Sequence, residues 1–101
     1  MTRWLNVWTV NPMAFPADPA QAAAIWAAMT DRVTDWLATG VIQEWGIYAD
    51  GSGGYVIFDD AGREEFLQAT LGRTTGVMPF VRCDVRPVLD VDQAKAVVQR
   101  A

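Results

Sequence analysis

Four charged side chains stand at positions where they could do chemistry on a small molecule. Arg82, Asp84 and Arg86 alternate along one segment, and Glu44 lies in an earlier one. A carboxylate can move a proton as a general acid or base, and arginines can stabilise an oxyanion that forms on a substrate. We therefore predict Glu44 and Asp84 as candidate catalytic residues, and Arg82 and Arg86 as ligand-binding residues.

The two carboxylates differ as candidate bases. A base that works near neutral pH needs surroundings that favour its protonated form, whereas adjacent arginines favour the charged form. Asp84 lies between two arginines, while Glu44 is distant from them in the sequence. Glu44 is therefore the better candidate for the base.

The composition excludes several other chemistries. The chain has no histidine and one cysteine, Cys83, which removes Ser-His-Asp triads, imidazole zinc or haem ligation, and iron–sulfur clusters held by one chain. Cys83 lies within an apolar alternation and is interpreted as a small core residue. Gly51-Ser52-Gly53-Gly54 has no Lys-Ser/Thr after it, so it indicates a hairpin loop rather than a phosphate loop. We expect no metal and no other cofactor.

Charge and length limit the class of protein. Eight basic residues against twelve acidic ones give a net charge of −4, with no basic cluster that would indicate nucleic-acid binding. No apolar run reaches the roughly 20 residues of a membrane span, and the start lacks the apolar stretch of a signal peptide. The sequence predicts a cytoplasmic protein that binds neither nucleic acid nor membrane, with residues 1–101 as a single domain.

Hydrophobic periodicity predicts the elements that must position these side chains. Residues 3–10 alternate as a strand does, and an alanine-rich helix is predicted from Pro19 to about Thr39, with Asp18 and Gln21 as a capping box and Gly40 as its end. Two strands over residues 41–48 and 54–59 form a hairpin. A short acidic helix, a strand over residues 80–88 and a short C-terminal helix that begins at Asp90 follow.

This order predicts an α+β, ferredoxin-like βαββαβ fold, in which a four-stranded antiparallel sheet carries two helices on one face. The other face would expose a large patch made of Trp4, Trp8, Ile42, Tyr48, Tyr55 and Ile57. Soluble monomers rarely expose so much apolar surface. We therefore expect a homodimer or a higher homo-oligomer whose sheets face each other.

Four short motifs resemble a known family. They are Gly46-Ile47-Tyr48-Ala49-Asp50, Tyr55-Val56-Ile57-Phe58-Asp59, Met78-Pro79-Phe80 and Arg86-Pro87-Val88-Leu89. Over about residues 40 to 90 the chain resembles muconolactone isomerases and small proteins near them, in the dimeric α/β-barrel superfamily. The resemblance implies two sheets closed into a barrel, and the superfamily includes isomerases, cofactor-free monooxygenases and haem-degrading enzymes. The absence of histidine departs from many of its members and argues against haem-linked roles.

Strand alternation predicts which side chains line the barrel. We place Val7, Val56, Phe58, Val81, Cys83 and Val85 against the helices. The opposite face then carries Glu44, Asp84, Arg82 and Arg86, together with the predicted ligand-binding residues Trp4, Asn6, Trp8, Tyr48 and Tyr55. Such a set suits a planar, oxygen-bearing ligand that is anionic or aromatic. Two alternatives stay open, namely an internal ion network and a solvated strand face with ordinary cross-strand pairs.

Two functions are compatible with this sequence. One is small-molecule binding with a cofactor-free isomerase or monooxygenase reaction on a small aromatic or lactone-like acid. The other is a non-enzymatic homodimeric assembly module whose barrel is filled by its own side chains. An enclosed void between the sheets would favour the first function, and a packed ionic interior would favour the second.

Overall fold

The computed structural model describes residues 2–71 and 80–100, with side chains described for residues 2–68 and 80–100. In chain order the elements are β1 (Arg3–Val10), α1 (Pro19–Thr39), β2 (Glu44–Ile47), β3 (Gly53–Asp59), α2 (Asp60–Leu71), β4 (Val81–Val88) and α3 (Val91–Arg100). This is an α+β fold. Gly72, Gly76, the Met78-Pro79 part of the third motif and the Leu71 side chain lie outside the described residues.

The strands form one antiparallel sheet in the order β2-β3-β1-β4, so β1 and β3 are central. Asn6 of β1 lies opposite Val56 of β3 and Val85 of β4, which fixes the register. The sheet and the order of strands and helices are compatible with the predicted ferredoxin-like plan.

The helix-covered face of the sheet holds the core. It consists of Trp8, Val56 and Phe58 from the sheet with Met29, Val33 and Trp36 from α1, Phe66 from α2, and Val41 and Ile42 between α1 and β2. Trp4, Trp26, Trp45, Val81, Cys83 and Val85 pack against this cluster. The predicted helix-facing positions in β3 and β4 are therefore confirmed.

The predicted face of β1 is wrong. Asn6 and Trp8 are buried on the helix-covered side, and Trp4 packs there too, whereas Val7 lies on the other face. The reason is volume, since α1 is rich in alanine and leaves space that large rings on the sheet must fill. The smaller Leu5 and Val7 take the opposite face. Trp8 and Ile42 are thus not part of an exposed patch.

Local sequence explains the ends of α1. Gly40 ends it in the left-handed conformation with φ of 80°, as predicted. Pro19 begins it, but the Asp18 side chain makes no capping hydrogen bond, so the predicted capping box is wrong. Met29, Val33 and Trp36 form the buried side of α1, whereas Leu37 is exposed.

The other two helices carry the caps that their sequences indicate. Asp59 Oδ1 accepts from the backbone N–H groups of Ala61 and Gly62 at the start of α2. Asp90 Oδ1 accepts from the Gln93 N–H, and Gln93 Oε1 accepts from the Asp90 N–H, which makes a reciprocal capping box for α3.

The hairpin is shorter than predicted and holds two glycine–aromatic contacts. Val41 and Ile42 belong to the buried turn after α1, so β2 begins at Glu44. The Trp8 ring lies against Gly54 on the helix-covered face, and the Tyr55 ring lies against Gly46 on the other face. A Cβ at either glycine would overlap the ring.

No helix among the described residues is both long and apolar enough to span a bilayer.

Candidate functional site

One group of the predicted site residues shares the face of the sheet that no helix of the described chain covers, here called the open face. Glu44 and Tyr55 lie there at the β2 side, and Arg82, Asp84 and Arg86 lie there along β4. Leu5, Val7 and Ile57 lie between these two charged edges and are half-buried. The structure thus brings the predicted acids and arginines to one face of the sheet.

Asp84 pairs with Arg86 on the open face. Arg86 Nη2 lies 3.0 Å from Asp84 Oδ2, and Arg86 Nε donates to both carboxylate oxygens at 3.3 and 3.1 Å. The Asp84 side chain is 58% exposed and the Arg86 side chain is 74% exposed. Arg82 is exposed as well. In a single chain these groups stand in solvent, where such a pair contributes at most about 1 kcal/mol. An enclosed space around them would need a further surface.

Glu44 and Tyr55 form the second polar pair of the open face. Hydrogen bonding to Glu44, partial burial and the negative charge of Glu44 raise the pKa of the Tyr55 hydroxyl above its ordinary value of 10.0. Tyr55 is therefore held as a neutral donor. Tyr48, beyond the end of β2, is exposed, and its backbone N–H closes the hairpin on the Gly53 carbonyl.

A second candidate region lies on the helix-covered face, where five aromatic rings meet around Trp8. The Trp8 ring stacks on Trp45 with centroids 5.9 Å apart and lies 6.2 Å from Trp26. Phe15 touches both Trp26, at 5.4 Å, and Phe80, at 5.9 Å. We call these five residues the Trp8 cluster. Trp8 is buried, whereas the other four are half-buried, so their rings are partly accessible.

The Trp8 cluster contains unmet hydrogen-bonding groups. Asn6 is 2% exposed and Trp8 is 4% exposed, yet Asn6 Oδ1 and Trp8 Nε1 find no hydrogen-bond partner among the described residues. An unmet buried polar group costs about 1–3 kcal/mol. The two residues are two positions apart on the same face of β1, so an unmet acceptor and an unmet donor lie on the same side of one strand.

Cys83 borders the same region. It lies opposite Trp8 in the β1–β4 pairing, and its thiol interacts with the Asn6 side chain. Burial raises the pKa of the Cys83 thiol, and the Asn6 hydrogen bond offsets part of that rise. Cys83 is therefore a protonated, weakly nucleophilic thiol at neutral pH.

At the other end of the helix-covered face, the indole N–H of Trp4 has a hydrogen-bond partner. Trp4 Nε1 donates to Asp60 Oδ1 at 3.1 Å, the Arg63 guanidinium lies 4.7 Å from the Trp4 ring, and Trp4 stacks on Phe58 at 6.4 Å. The Trp4 N–H bond and the backbone N–H of Thr2 lower the pKa of Asp60. Nearby, an open surface groove follows α2 and is lined by Asp60, Arg63, Glu64, Leu67 and Gln68.

The predicted site is thus divided between two faces. Trp4, Asn6 and Trp8 lie on the side opposite Glu44, Tyr55, Arg82, Asp84 and Arg86, so the sheet separates the two groups. Trp26, Trp45 and Cys83 join Asn6 and Trp8, and none of these three is among the site residues predicted from the sequence. A polar Asn within an otherwise bulky strand is the sequence signal that could have located this region.

Within residues 2–71 and 80–100, no three His, Cys, Asp or Glu side chains gather as a metal site needs. Comparison of the chain with models of known protein families, and with curated protein sequences, gives no match.

Proposed function

We propose that this chain is a small-molecule-binding protein whose ligand lies in the Trp8 cluster. The observation that carries the proposal is the unmet pair Asn6 Oδ1 and Trp8 Nε1, buried among partly accessible aromatic rings. A ligand with one hydroxyl and one carbonyl or oxyanion would satisfy both atoms.

The surrounding rings indicate the shape of that ligand. Trp8 and Trp45 are nearly parallel, with an angle of 19° between their planes, and Trp26 is tilted by 50° to Trp8. Flat aromatic walls with few polar groups suit a planar ligand that stacks and is oriented by one or two hydrogen bonds. The resemblance to muconolactone isomerases and cofactor-free monooxygenases supports the same class, a small aromatic or lactone-like acid, and with it a ferredoxin-like fold.

The reaction that suits this site is limited by its residues. Glu44 and Asp84 lie across the sheet, so neither carboxylate reaches a ligand beside Asn6 and Trp8. The Trp8 indole N–H is a donor for an oxyanion, and Cys83 is held protonated. In an isomerase or monooxygenase reaction at this site, the chain would orient the substrate and stabilise its negative charge, without a carboxylate base of its own.

The test compares the two tryptophans of β1. Phenols, hydroxybenzoates and unsaturated lactones are titrated against the wild type, Trp8→Phe and Trp4→Phe, with binding followed by NMR chemical shifts. Because Trp4 already donates to Asp60, Trp4→Phe should bind as the wild type does, whereas Trp8→Phe should lose about tenfold or more in affinity. Equal affinity in all three proteins would overturn the proposal.

A second function, the assembly module, is supported by the open face. Asp84 pairs with Arg86, so these two charges satisfy each other without a ligand. In this case none of the compounds would bind. Arg86→Met would then weaken self-association, measured by sedimentation, because it leaves Asp84 without its ion-pair partner.

A further inference from the structure

Helix α3 has an apolar side whose valines are exposed in the described chain. Val91 is 69% exposed and Val98 is 72% exposed, and the helix has no buried residue. With Val97 on the same helix and Leu89 just before it, these are four of the eight exposed large hydrophobic residues among the side chains that the structure describes. Apolar side chains concentrated on one short helix indicate a contact surface rather than scattered exposure.

The sequence of α3 is that of an amphipathic helix. Val91, Ala94 and Val98 follow the i, i+3, i+7 spacing, and Val97 adjoins them, whereas Asp92 and Gln99 lie away from this stripe. A ten-residue helix alone is marginal in water, so its stability has to come from packing of the apolar side. The described chain measures 53 × 26 × 22 Å, which is long for one packed body and leaves such a helix room to reach another molecule.

The open face offers a strip that matches this stripe. Leu5 and Val7 of β1 lie beside Tyr55 and Ile57 of β3, all half-buried, on the two central strands. Two adjacent strands with their side chains span about 10 Å, close to the diameter of a helix. The stripe from Val91 to Val98 is about 10 Å long. Charged side chains of β2 and β4 border the strip on both sides.

We propose that α3 of one copy packs its apolar stripe on the open face of a second copy, in a reciprocal homodimer. This inference does not depend on the ligand site, which lies on the opposite face of the sheet. Twofold symmetry repeats the contact, once for the α3 helix of each copy, so the dimer contains two such interfaces.

The charged residues of the open face favour this arrangement over the face-to-face contact of two sheets that the sequence predicts. Two sheets face to face would enclose Glu44, Arg82, Asp84 and Arg86 together with their copies, at a desolvation cost. A helix seated on the central strip leaves these edge residues at a solvated rim. Lys95, which borders the stripe, would then stand near the carboxylates of Glu44 or Asp84.

The first experiment measures self-association by sedimentation velocity over a concentration series. Val98→Glu places a charge on the stripe, and Gln99→Glu adds the same charge to the neighbouring exposed position. We expect Val98→Glu to weaken dimerisation at least tenfold and Gln99→Glu to change it less than twofold. A monomeric wild type, or equal effects of both variants, would overturn the proposal.

The second experiment identifies what α3 covers. Lys95 is the single lysine of the sequence, so carbodiimide coupling of its amine to nearby carboxylates reports the position of α3. In a mixture of isotopically heavy and light protein, we expect heavy–light cross-links from Lys95 to Glu44 or Asp84. Cross-links within one copy alone, or a dimer without any such cross-link, would overturn the proposal.

Discussion

Trp4 and Trp8 of β1 share one face of the sheet and differ in what their indole N–H groups meet. The Trp4 N–H is bound by Asp60 and its ring lies between Phe58 and Arg63. The Trp8 N–H is buried with no partner among the described residues, beside an equally unmet Asn6 oxygen. Residue type alone does not separate the two tryptophans, and the unmet hydrogen bonds at Trp8 are what support the proposed ligand site.

The rings around the two tryptophans differ in the same way. At the Trp4 end, Phe58 packs on Phe66 at 4.4 Å and Trp36 on Phe66 at 5.6 Å, and all three are buried. At the Trp8 end, the rings other than Trp8 are half-buried. The first end has the close packing of a structural core, and the second end has the partial exposure of a binding surface.

Among the variants that test this difference between the Trp4 and Trp8 ends, Phe58→Ala should change the free energy of unfolding most. Phe58 is fully buried, so removal of its ring should lower the free energy of unfolding by about 3–5 kcal/mol. Trp26→Ala, in the half-buried cluster, should cost about half as much or less, because fewer of its contacts are lost on truncation. Urea unfolding of both variants measures this, and equal losses would remove the distinction between the two ends.

The next largest effect is expected for Gly54→Ala. The new methyl group would overlap both the Trp8 ring and the Gly46 carbonyl, so the ring or the strand must move, at a cost of about 3 kcal/mol. Gly51→Ala is the control, because Gly51 has a φ of 73° but open space around it, and it should cost about 1 kcal/mol. The contact between Trp8 and Gly54 would be refuted if Gly54→Ala were the milder change.

A smaller effect, of opposite sign, is expected for Asn6→Leu. It removes a buried acceptor that has no partner, so it should raise the free energy of unfolding by about 1 kcal/mol. In contrast, Asn11 Oδ1 accepts from the Met13 N–H at 3.1 Å, so Asn11→Leu should destabilise the chain. If thermal melts show that Asn6→Leu also destabilises it, then a bound water or another group satisfies the Asn6 oxygen.

The smallest effect is expected at the Trp4 end and depends on pH. Hydrogen bonds from Trp4 and Thr2 hold the pKa of Asp60 below its ordinary value of 3.8, so its stabilising effect is present above that value and is lost as pH falls through the lowered pKa. The wild type should therefore exceed Asp60→Asn in stability at pH 7, and the difference should shrink near pH 3. Denaturant unfolding at both pH values measures it. Trp4→Phe should lose part of the same pH dependence, and a difference independent of pH would contradict this account.

The sequence predicts the positions of the helices and strands better than it predicts which side of each strand faces the helices. Periodicity and turn residues place α1 at Pro19–Thr39 and the cap of α3 at Asp90 correctly. Both sides of β1 carry bulky residues, so alternation alone does not decide which side faces α1. The decision depends on the space above the alanine-rich helix, which is a property of tertiary packing.

The candidate site could be predicted in part for the same reason. Alternation correctly places Arg82, Asp84 and Arg86 together, because β4 has an unambiguous apolar side. Asn6 is placed on the wrong side, because a polar residue is expected away from a core. A buried acceptor without a hydrogen-bond partner can be recognised only from a structure that shows the partners of every buried polar atom.

The two glycine–aromatic contacts also bear on how the sheet assembles. Gly54 accommodates the Trp8 ring on one face of β3, and Gly46 accommodates the Tyr55 ring on the other face. A slip of β2 on β3 by one residue would set the Tyr55 ring against the side chain of Trp45 or Ile47 instead of a bare backbone. A slip of β1 on β3 that moves Trp8 from Gly54 to Tyr55 would likewise replace bare backbone by a ring. Each contact therefore favours the observed register of one strand pair, Gly46 for β2–β3 and Gly54 for β1–β3.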